Sequence, residues 1–300
     1  MSKSYNIFDS NDSSVNINKF AGFESSMDLT KKSFDTEQFA IGAVLDLETT
    51  GLDVRVHQVI QIGIRLFSYD RQNFKNIKIG NQLSFYQQPS QPLPKKIELI
   101  TGITQEKIKG KKIPWQEVCD FLSICEIVIT HNALFDRSFL EKESTTKITD
   151  LNWACSINQI DWYNKGYKSI NLESLCLSSG FFGEFHDAAN DADLLLNLIA
   201  IPRPTKAILF EELLLNSHKP LVRIEVANFP FHNKNVLKDS GYRWAPEEKI
   251  WFKVIYTNDL IKEKQYMDKL RNNSDFSYVV VNIQTNEKFS NSKNSYINSY

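Results

Sequence analysis

Residues 39–52 read FAIGAVLDLETTGL, an apolar run that ends in two acids and a turn. The run Phe39–Leu45 is typical of a buried β-strand. Because residues at positions i and i+2 of a strand point to the same face, Asp46 and Glu48 project together. Two adjacent carboxylates repel each other unless a cation binds between them, and Mg²⁺ or Mn²⁺ would suit their oxygen ligands. A pair of solvated acids in a turn is the alternative interpretation.

Two further polar segments follow predicted elements farther along the chain. Asp136 follows the apolar strand Ile127–Thr130 and lies in the first turn of the next predicted helix, where helix capping is the alternative explanation. His186 lies just before another predicted helix, and Asp191 lies about one turn inside it. A histidine beside acids at a helix start suits a base that takes a proton from an attacking water. A surface histidine followed by capping acids is the alternative.

Taken together, the three segments resemble the three motifs of the DnaQ-like DEDDh 3′→5′ exonucleases. The motifs read LDLETTGL at 45–52, THNALFD at 130–136 and HDAAND at 186–191, and the resemblance covers about residues 38–203. All five catalytic positions of the family are filled, by Asp46, Glu48, Asp136, His186 and Asp191. In the sister DEDDy group a tyrosine takes the place of the histidine, so His186 indicates the DEDDh group.

The resemblance implies a ribonuclease H-like fold and hydrolysis with two divalent cations, Mg²⁺ or Mn²⁺. It implies that the four motif acids bind the cations and that His186 is the general base near neutral pH. The turn after Glu48 is expected to meet the 3′-terminal nucleotide, with Thr49 at the 3′-hydroxyl and Leu52 against the terminal base. Asn132 is expected to contact the substrate backbone. Simple turn packing is the alternative for Leu52.

The order of elements predicts the fold class and the domain organisation. Three strands followed by alternating helices and strands predict an α/β domain, a mixed sheet flanked by helices. We predict a disordered polar tail at 1–36, the DEDDh exonuclease domain at 37–204, a linker at 205–220, a small α+β C-terminal module at 221–285 and a flexible tail at 286–300.

The C-terminal module interleaves basic and aromatic residues, namely Lys238, Tyr242, Arg243, Trp244 and Trp251. This composition suits stacking on single-stranded nucleic acid. The alternative is that so small a module needs its large aromatic residues for its own core.

Composition sets only broad limits on function. A formal net charge of −1 lacks the basic excess that is typical of nucleic-acid-binding proteins. An exonuclease needs less positive charge, because it binds few nucleotides and its cations add positive charge at the phosphate. No apolar run of about 18 residues predicts a membrane span, and the polar N-terminus lacks the apolar region of a secretory signal. The four cysteines form no CxxC pair and suit buried thiols of a reducing compartment. We therefore expect a cytoplasmic protein.

Three functions fit these patterns. They are a stand-alone exonuclease of DNA repair or nucleic-acid turnover, a proofreading subunit bound to a DNA polymerase, and a ribonuclease that trims RNA 3′ ends. The long module after the third motif argues mildly against the proofreading subunit. We expect a single-stranded 3′ end of DNA as the substrate, although DNA and RNA present the same phosphodiester and 3′-hydroxyl to the site.

Overall fold

The computed structural model describes residues 4–8, 14–31, 34–143, 150–201, 209–272 and 275–290. Within these ranges the strands are β1 (Ser4–Phe8), β2 (Ser14–Lys19), β3 (Phe39–Thr49), β4 (Val59–Asp70), β5 (Lys78–Tyr86), β6 (Ile127–Thr130), β7 (Trp153–Cys155), β8 (Phe181–Phe182), β9 (Leu221–Ala227), β10 (Arg243–Ala245), β11 (Ile250–Tyr256) and β12 (Ser277–Ile283). The α-helices are α1 (Lys95–Thr101), α2 (Gln105–Ile108), α3 (Trp115–Leu122), α4 (Ala133–Glu143), α5 (Ser156–Gln159), α6 (Leu172–Ser178), α7 (Ala188–Ala200), α8 (Leu209–His218), α9 (Lys234–Asp239) and α10 (Leu260–Arg271).

A five-stranded mixed sheet forms the centre of the larger unit. Its strand order is β5-β4-β3-β6-β7, with β3, β4 and β5 antiparallel and β6 and β7 parallel to β3. Alternate residues of β3 face opposite sides of the sheet. Val44 packs with the apolar residues of α7 and α8, whereas Leu45 and Leu47 pack with those of α3 and α4. The predicted α/β class, a mixed sheet flanked by helices, is therefore confirmed.

Helix α7 lies directly on β4 because β4 has a glycine at the point of contact. A methyl group added at Gly63 would overlap the backbone of Ala188 and Ala189 at the start of α7. Gly63 is also the antiparallel partner of Asp46 on β3. The close approach permitted by Gly63 therefore brings the first turn of α7 next to the acidic end of β3.

The predicted disordered tail at 1–36 is wrong for residues 4–8, which form β1, and for much of residues 14–31. Strand β2 pairs with β8, and Leu29 is buried against the sheet. Asp193 of α7 accepts a hydrogen bond from the Phe23 N–H at 3.0 Å and forms a buried ion pair with Arg65 of β4 at 2.6 Å. Arg65 in turn donates to the Phe23 carbonyl, so backbone hydrogen bonds to a buried ion pair hold this polar segment in place. Residues 1–3 and 9–13 lie outside the described residues.

The predicted linker at 205–220 is wrong for residues 209–218. These residues form α8, and Leu209, Phe210, Leu213 and Leu214 of this helix are buried in the cluster that also holds α7. The apolar face of α8 therefore belongs to the core of the larger unit. Residues 202–208 lie outside the described residues.

The C-terminal module has its own sheet, with strand order β10-β11-β9-β12 and every pairing antiparallel. Its core contains Leu237 of α9 and Met267 of α10, packed on Ile224 and Trp251 of the sheet. The module thus contains both strands and helices, in the order β9-α9-β10-β11-α10-β12.

The predicted flexible tail at 286–300 is wrong for residues 286–290, which form a segment we term the C-terminal strap. Phe289 is fully buried in the cluster that holds β3 and α4. The Lys288 ammonium donates to the carbonyl oxygens of Ser217 and Lys219, and the Lys288 carbonyl accepts from Arg137 of α4 at 2.8 Å. The strap thus joins the end of the module to α4. Residues 291–300 lie outside the described part of the chain.

Two expectations concern the chain as a whole, its lack of a membrane span and its free thiols. No helix among the described residues has both the length and the apolar character needed to cross a bilayer. The four cysteines are free thiols, three of them buried.

We expect Phe289→Ala to lower the free energy of unfolding by about 3–5 kcal/mol, because it leaves a cavity among packed apolar side chains. Urea denaturation followed by circular dichroism measures the change. The matched control is Phe231→Ala, which truncates a phenylalanine that is 79% exposed and should change stability by no more than about 0.5 kcal/mol. Equal stabilities of the two variants would show that the strap does not pack on the domain.

Candidate functional site

The acidic end of β3 points toward α7. Asp46 and Glu48 continue the face of β3 that carries Val44, and this face packs against α7. The pairing of β3 with β4 shifts by one residue between Glu48 and Thr49, so the strand ends in an irregular turn directly after the second acid. The structure therefore places Asp46 and Glu48 side by side, as the alternation of strand residues predicts.

Asp136 belongs to α4 and approaches Asp46 and Glu48 from the side of β3 opposite α7. Strand β6 is parallel to β3, and α4 begins three residues after β6 ends. Asp136 lies in the first turn of α4 and is only 2% exposed. Among the described residues its Oδ1 atom has no hydrogen-bond partner. Helix capping does not account for this oxygen, because a cap accepts a backbone N–H.

Asp191 and His186 come from the start of α7. Asp191 is 8% exposed, and its Oδ2 accepts a hydrogen bond from the His186 backbone N–H at 3.0 Å. Its Oδ1 is buried and finds no partner within the described ranges. His186 has a φ of 64°, in the left-handed region that non-glycine residues seldom adopt, and its side chain is exposed. The backbone turn at His186 thus leaves the imidazole at the open side of the acidic cluster.

Two residues that the sequence interpretation missed fix the start of α7. Asp187 is the N-cap of α7 and accepts from the N–H groups of Ala189 and Asn190. Its second oxygen accepts from the Gln61 side-chain amide at 3.0 Å, and the Gln61 carbonyl oxygen accepts from the Ala188 N–H at 3.2 Å. Gln61 is fully buried in β4. A glutamine within an apolar strand was the available signal, because buried polar groups need partners.

The cluster holds more negative charge than its surroundings stabilise. Burial raises the pKa of Asp46 well above its usual range, and the charges of Asp191, Asp136 and Glu48 raise it further. Burial, followed by the charges of neighbouring acids, raises the pKa of Glu48 to about 8. Burial raises the pKa of Asp136 and of Asp191 to about 7. Perturbed acids that converge in this way are typical of functional sites.

The residues present fit a divalent cation. Ligand atoms of Glu48, His186 and Asp191 lie within 4.8 Å of one another. The partnerless buried oxygens of Asp136 and Asp191 would gain a ligand from a cation, which offsets the cost of burying them. A donor set made mostly of carboxylate oxygens suits the hard cations Mg²⁺ and Mn²⁺.

Two of the three predicted substrate residues, Leu52 and Asn132, line one pocket. Leu52, Asn132 and Phe135 line an open pocket of about 260 Å³. Leu52 is 85% exposed, so its apolar side chain is available for contact with a ligand. Thr49 lies elsewhere, since it is buried and its hydroxyl donates to the Gly51 carbonyl within the turn. The substrate roles of these residues stay predictions.

A family model described as "Exonuclease" matches residues 43–199 of this chain. Among curated proteins, the PolC-type DNA polymerase III of Thermotoga petrophila is 33% identical over 123 residues, which are 40% of this chain and 8% of that protein. The PolC-type DNA polymerase III of Mycoplasmopsis pulmonis is 29% identical over 174 residues, 53% of this chain and 11% of that protein. The chain thus matches about a tenth of the length of these relatives.

Solved structures of two nucleases are similar to part of this chain. A zinc-bound complex of E. coli exonuclease I with single-stranded DNA aligns with a TM-score of 0.47 and 18% identity, covering 61% of this chain and 47% of that chain. The nuclease domain of 3′hExo, a DEDDh family member bound to rAMP, aligns with a TM-score of 0.43 and 16% identity, covering 55% and 92% of the two chains.

Without a divalent cation, we expect the protein to lose stability as pH rises from about 5 to about 8. The raised pKa values mean that the folded state keeps protons that the unfolded chain has already released, so rising pH favours unfolding. Asp136→Asn removes one of the repelling charges. In EDTA at pH 8 it should raise the free energy of unfolding by on the order of 1–3 kcal/mol, and by less at pH 5.

Urea denaturation at both pH values measures this difference. The control is Asp239→Asn, which neutralises an exposed acid of α9 and should leave stability unchanged at either pH. A lower stability of Asp136→Asn at pH 8 would mean that the cluster is not electrostatically strained.

Proposed function

The chain belongs to the exonuclease family, whose model matches it over residues 43–199, and from this premise we propose that it removes single nucleotides from the 3′ end of DNA. The product would be a nucleoside 5′-monophosphate. One observation carries the proposal. Acids from β3, α4 and α7 converge on one spot, and two of them hold buried oxygens with no partner among the described residues.

Asp46, Glu48, Asp136 and Asp191 would hold two divalent cations, Mg²⁺ or Mn²⁺. When bound, such cations neutralise the scissile phosphate and ease loss of a proton from the attacking water. The chain contributes the placement of the carboxylates. The antiparallel and parallel neighbours of β3 fix Asp46, and the contacts of Gln61 with α7 fix the helix that carries Asp191.

His186 would act as the general base. A ring nitrogen would take a proton from the water whose oxygen forms the new bond to phosphorus. The bond between that phosphorus and the 3′-oxygen of the preceding nucleotide then breaks. The released nucleotide keeps the 5′-phosphate, and the 3′-oxygen takes a proton from solvent to become the new 3′-hydroxyl of the shortened strand. The exposure of His186 at the open side of the cluster, with its backbone N–H on Asp191, supports this role.

The pocket lined by Leu52 and Asn132 would take the terminal nucleoside. Leu52 would press against the terminal base, and Asn132 would contact the sugar-phosphate backbone. Thr49 would contact the 3′-hydroxyl through the backbone of its turn, because its side-chain hydroxyl already donates a hydrogen bond to the Gly51 carbonyl. A contact of Leu52 with the terminal base would favour digestion from the terminus over internal cleavage.

Proofreading is a second candidate function, and the similarity to PolC-type DNA polymerase III favours it. This similarity also supports DNA as the substrate. A proofreading protein would need a polymerase as its partner, so co-purification of the full chain with a polymerase distinguishes this function from that of a free enzyme.

We expect hydrolysis to stop in excess EDTA and to return with Mg²⁺ or Mn²⁺, since the acids repel the phosphate when no cation is bound. A 3′-phosphate should slow digestion strongly, because the pocket accepts a free 3′-hydroxyl. The measurement uses 5′-labelled single-stranded DNA, duplex DNA and RNA of matched sequence. Efficient cleavage of a circular strand would indicate an endonuclease. Faster digestion of RNA than of DNA would show that RNA is the substrate.

For His186→Ala we expect kcat to fall by about 10²–10⁴-fold with nearly unchanged cation affinity, because the proton acceptor is lost and the acids remain. Asp191→Ala should instead weaken cation binding. Isothermal titration with Mn²⁺ and steady-state kinetics separate the two effects. A ring nitrogen of His186 lies within 4.8 Å of carboxylate oxygens of Glu48 and Asp191, so His186 is also placed to be a cation ligand. An equal loss of Mn²⁺ affinity in both variants would make it one.

A further inference from the structure

The aromatic residues of the C-terminal module fall into two groups. Tyr242 and Trp251 are buried in its core, as the structural interpretation of the sequence proposed. Trp244 is 48% exposed, although it lies in β10 directly opposite Trp251. The two indole rings are 5.6 Å apart and inclined at 58°. Packing on a buried neighbour therefore fixes Trp244 while one side of its ring stays open to solvent.

A pocket of about 320 Å³ opens beside this indole. It is lined by Arg243, Trp244, Pro246 and Phe252, together with Glu247 and Glu248 at its rim. The Arg223 guanidinium lies 4.5 Å from the centre of the Phe252 ring and donates to Glu248 at 2.8 Å. Arg223 also forms an ion pair with Glu225 at 3.2 Å. The pocket combines a fixed, partly exposed indole with the Arg243 guanidinium, a combination that suits an unpaired base and its phosphate.

The rim of this pocket lies close to the loop that carries Leu52. Arg55 belongs to that loop, and its pKa is raised chiefly by its ion pair with Asp53 and also by the charge of Glu247. The charge of Glu247 therefore acts weakly on Arg55, whose ion-pair partner is Asp53 at 2.7 Å.

Helix α4 connects the same two regions. Lys142 of α4 donates to the carbonyl oxygens of Val54 and His57, which ties the Leu52 loop to this helix. At its other contacts, α4 binds the C-terminal strap through Arg137 and Glu141. One helix therefore carries Asp136, holds the loop of the terminal-nucleotide pocket and anchors the end of the module. The Trp244 pocket and the acidic site are thus held in a fixed relation.

We propose that the Trp244 pocket binds an unpaired base of the same strand whose 3′ end enters the acidic site. The proposal rests on the exonuclease function and adds a second contact with the substrate, upstream of the scissile nucleotide. Trp244 provides the stacking surface, and Arg243 provides charge for the adjoining phosphate. Because stacking does not require a particular base, the contact would hold any single strand as it shortens.

The test uses the full chain with Trp244→Ala, Trp244→Phe and the control Phe231→Ala, an exposed aromatic of the module that does not line the pocket. Binding is measured by fluorescence anisotropy in Ca²⁺ with a 5′-labelled strand of about 20 nucleotides. Turnover is measured in Mg²⁺ on this strand and on a dinucleotide. Thermal unfolding shows whether each variant is folded.

We expect Trp244→Ala to weaken binding of the long strand about 5- to 150-fold and to raise its KM, with unchanged kcat on the dinucleotide, which is too short to reach the pocket. Trp244→Phe should restore most of the affinity, and Phe231→Ala should match the natural chain. Unchanged affinity of Trp244→Ala, or an equal loss in Phe231→Ala, would overturn the proposal while leaving the exonuclease function standing. If the natural chain binds the strand but hydrolyses no substrate, the exonuclease proposal fails instead.

Discussion

Mutual repulsion among buried carboxylates is the constraint on which the arrangement of this domain depends. Burial raises the pKa values of Asp46, Glu48, Asp136 and Asp191, and neighbouring charges raise those of Asp46, Glu48 and Asp191 further. Such a cluster forms only if the surrounding structure compensates for it. The compensation is the central sheet and the helices α4 and α7, whose apolar faces are buried against both sides of β3. The stability of the core thus supports a locally unstable site.

The candidate residues could be predicted from sequence because the three segments resemble the motifs of one family and because their placement is local. Asp46 and Glu48 lie at the end of β3, Asp136 and Asp191 lie in the first turns of helices, and the alternation of strand residues places Asp46 and Glu48 on one face. Their catalytic roles stay predictions. The residues that hold α7 could not be found in this way. Gln61 and Gly63 act on Asp187 and Ala188 more than a hundred residues later, and a contact between a strand and a distant helix leaves no spacing pattern in either segment.

The segments predicted to be disordered or linking show a different limit. The apolar residues of the two predicted tails are few, so composition alone favours disorder there. The predicted linker differs, because Leu209, Phe210, Leu213 and Leu214 have the spacing of an apolar helix face. Leu29 and Phe289 nevertheless pack individually into a core that is already formed. Polar groups around them gain partners, since the Phe23 backbone N–H donates to Asp193 and the Lys288 ammonium donates to the Ser217 carbonyl. Tertiary contacts of single residues can order such segments where local preference cannot.

The C-terminal strap attaches the module firmly to the larger unit. A chain that ended near Ser217 would lack Phe289, and the core around Leu47 and Phe139 would lose a fully buried ring. The carbonyl acceptors of Lys288 lie at the end of α8 and just beyond it, so the strap also secures the connection between the two units. The module is therefore an integral part of the fold and is held at a fixed place beside α4. Because α4 also carries Asp136, a change in the packing of the strap would shift α4 and with it the position of Asp136 in the acidic site.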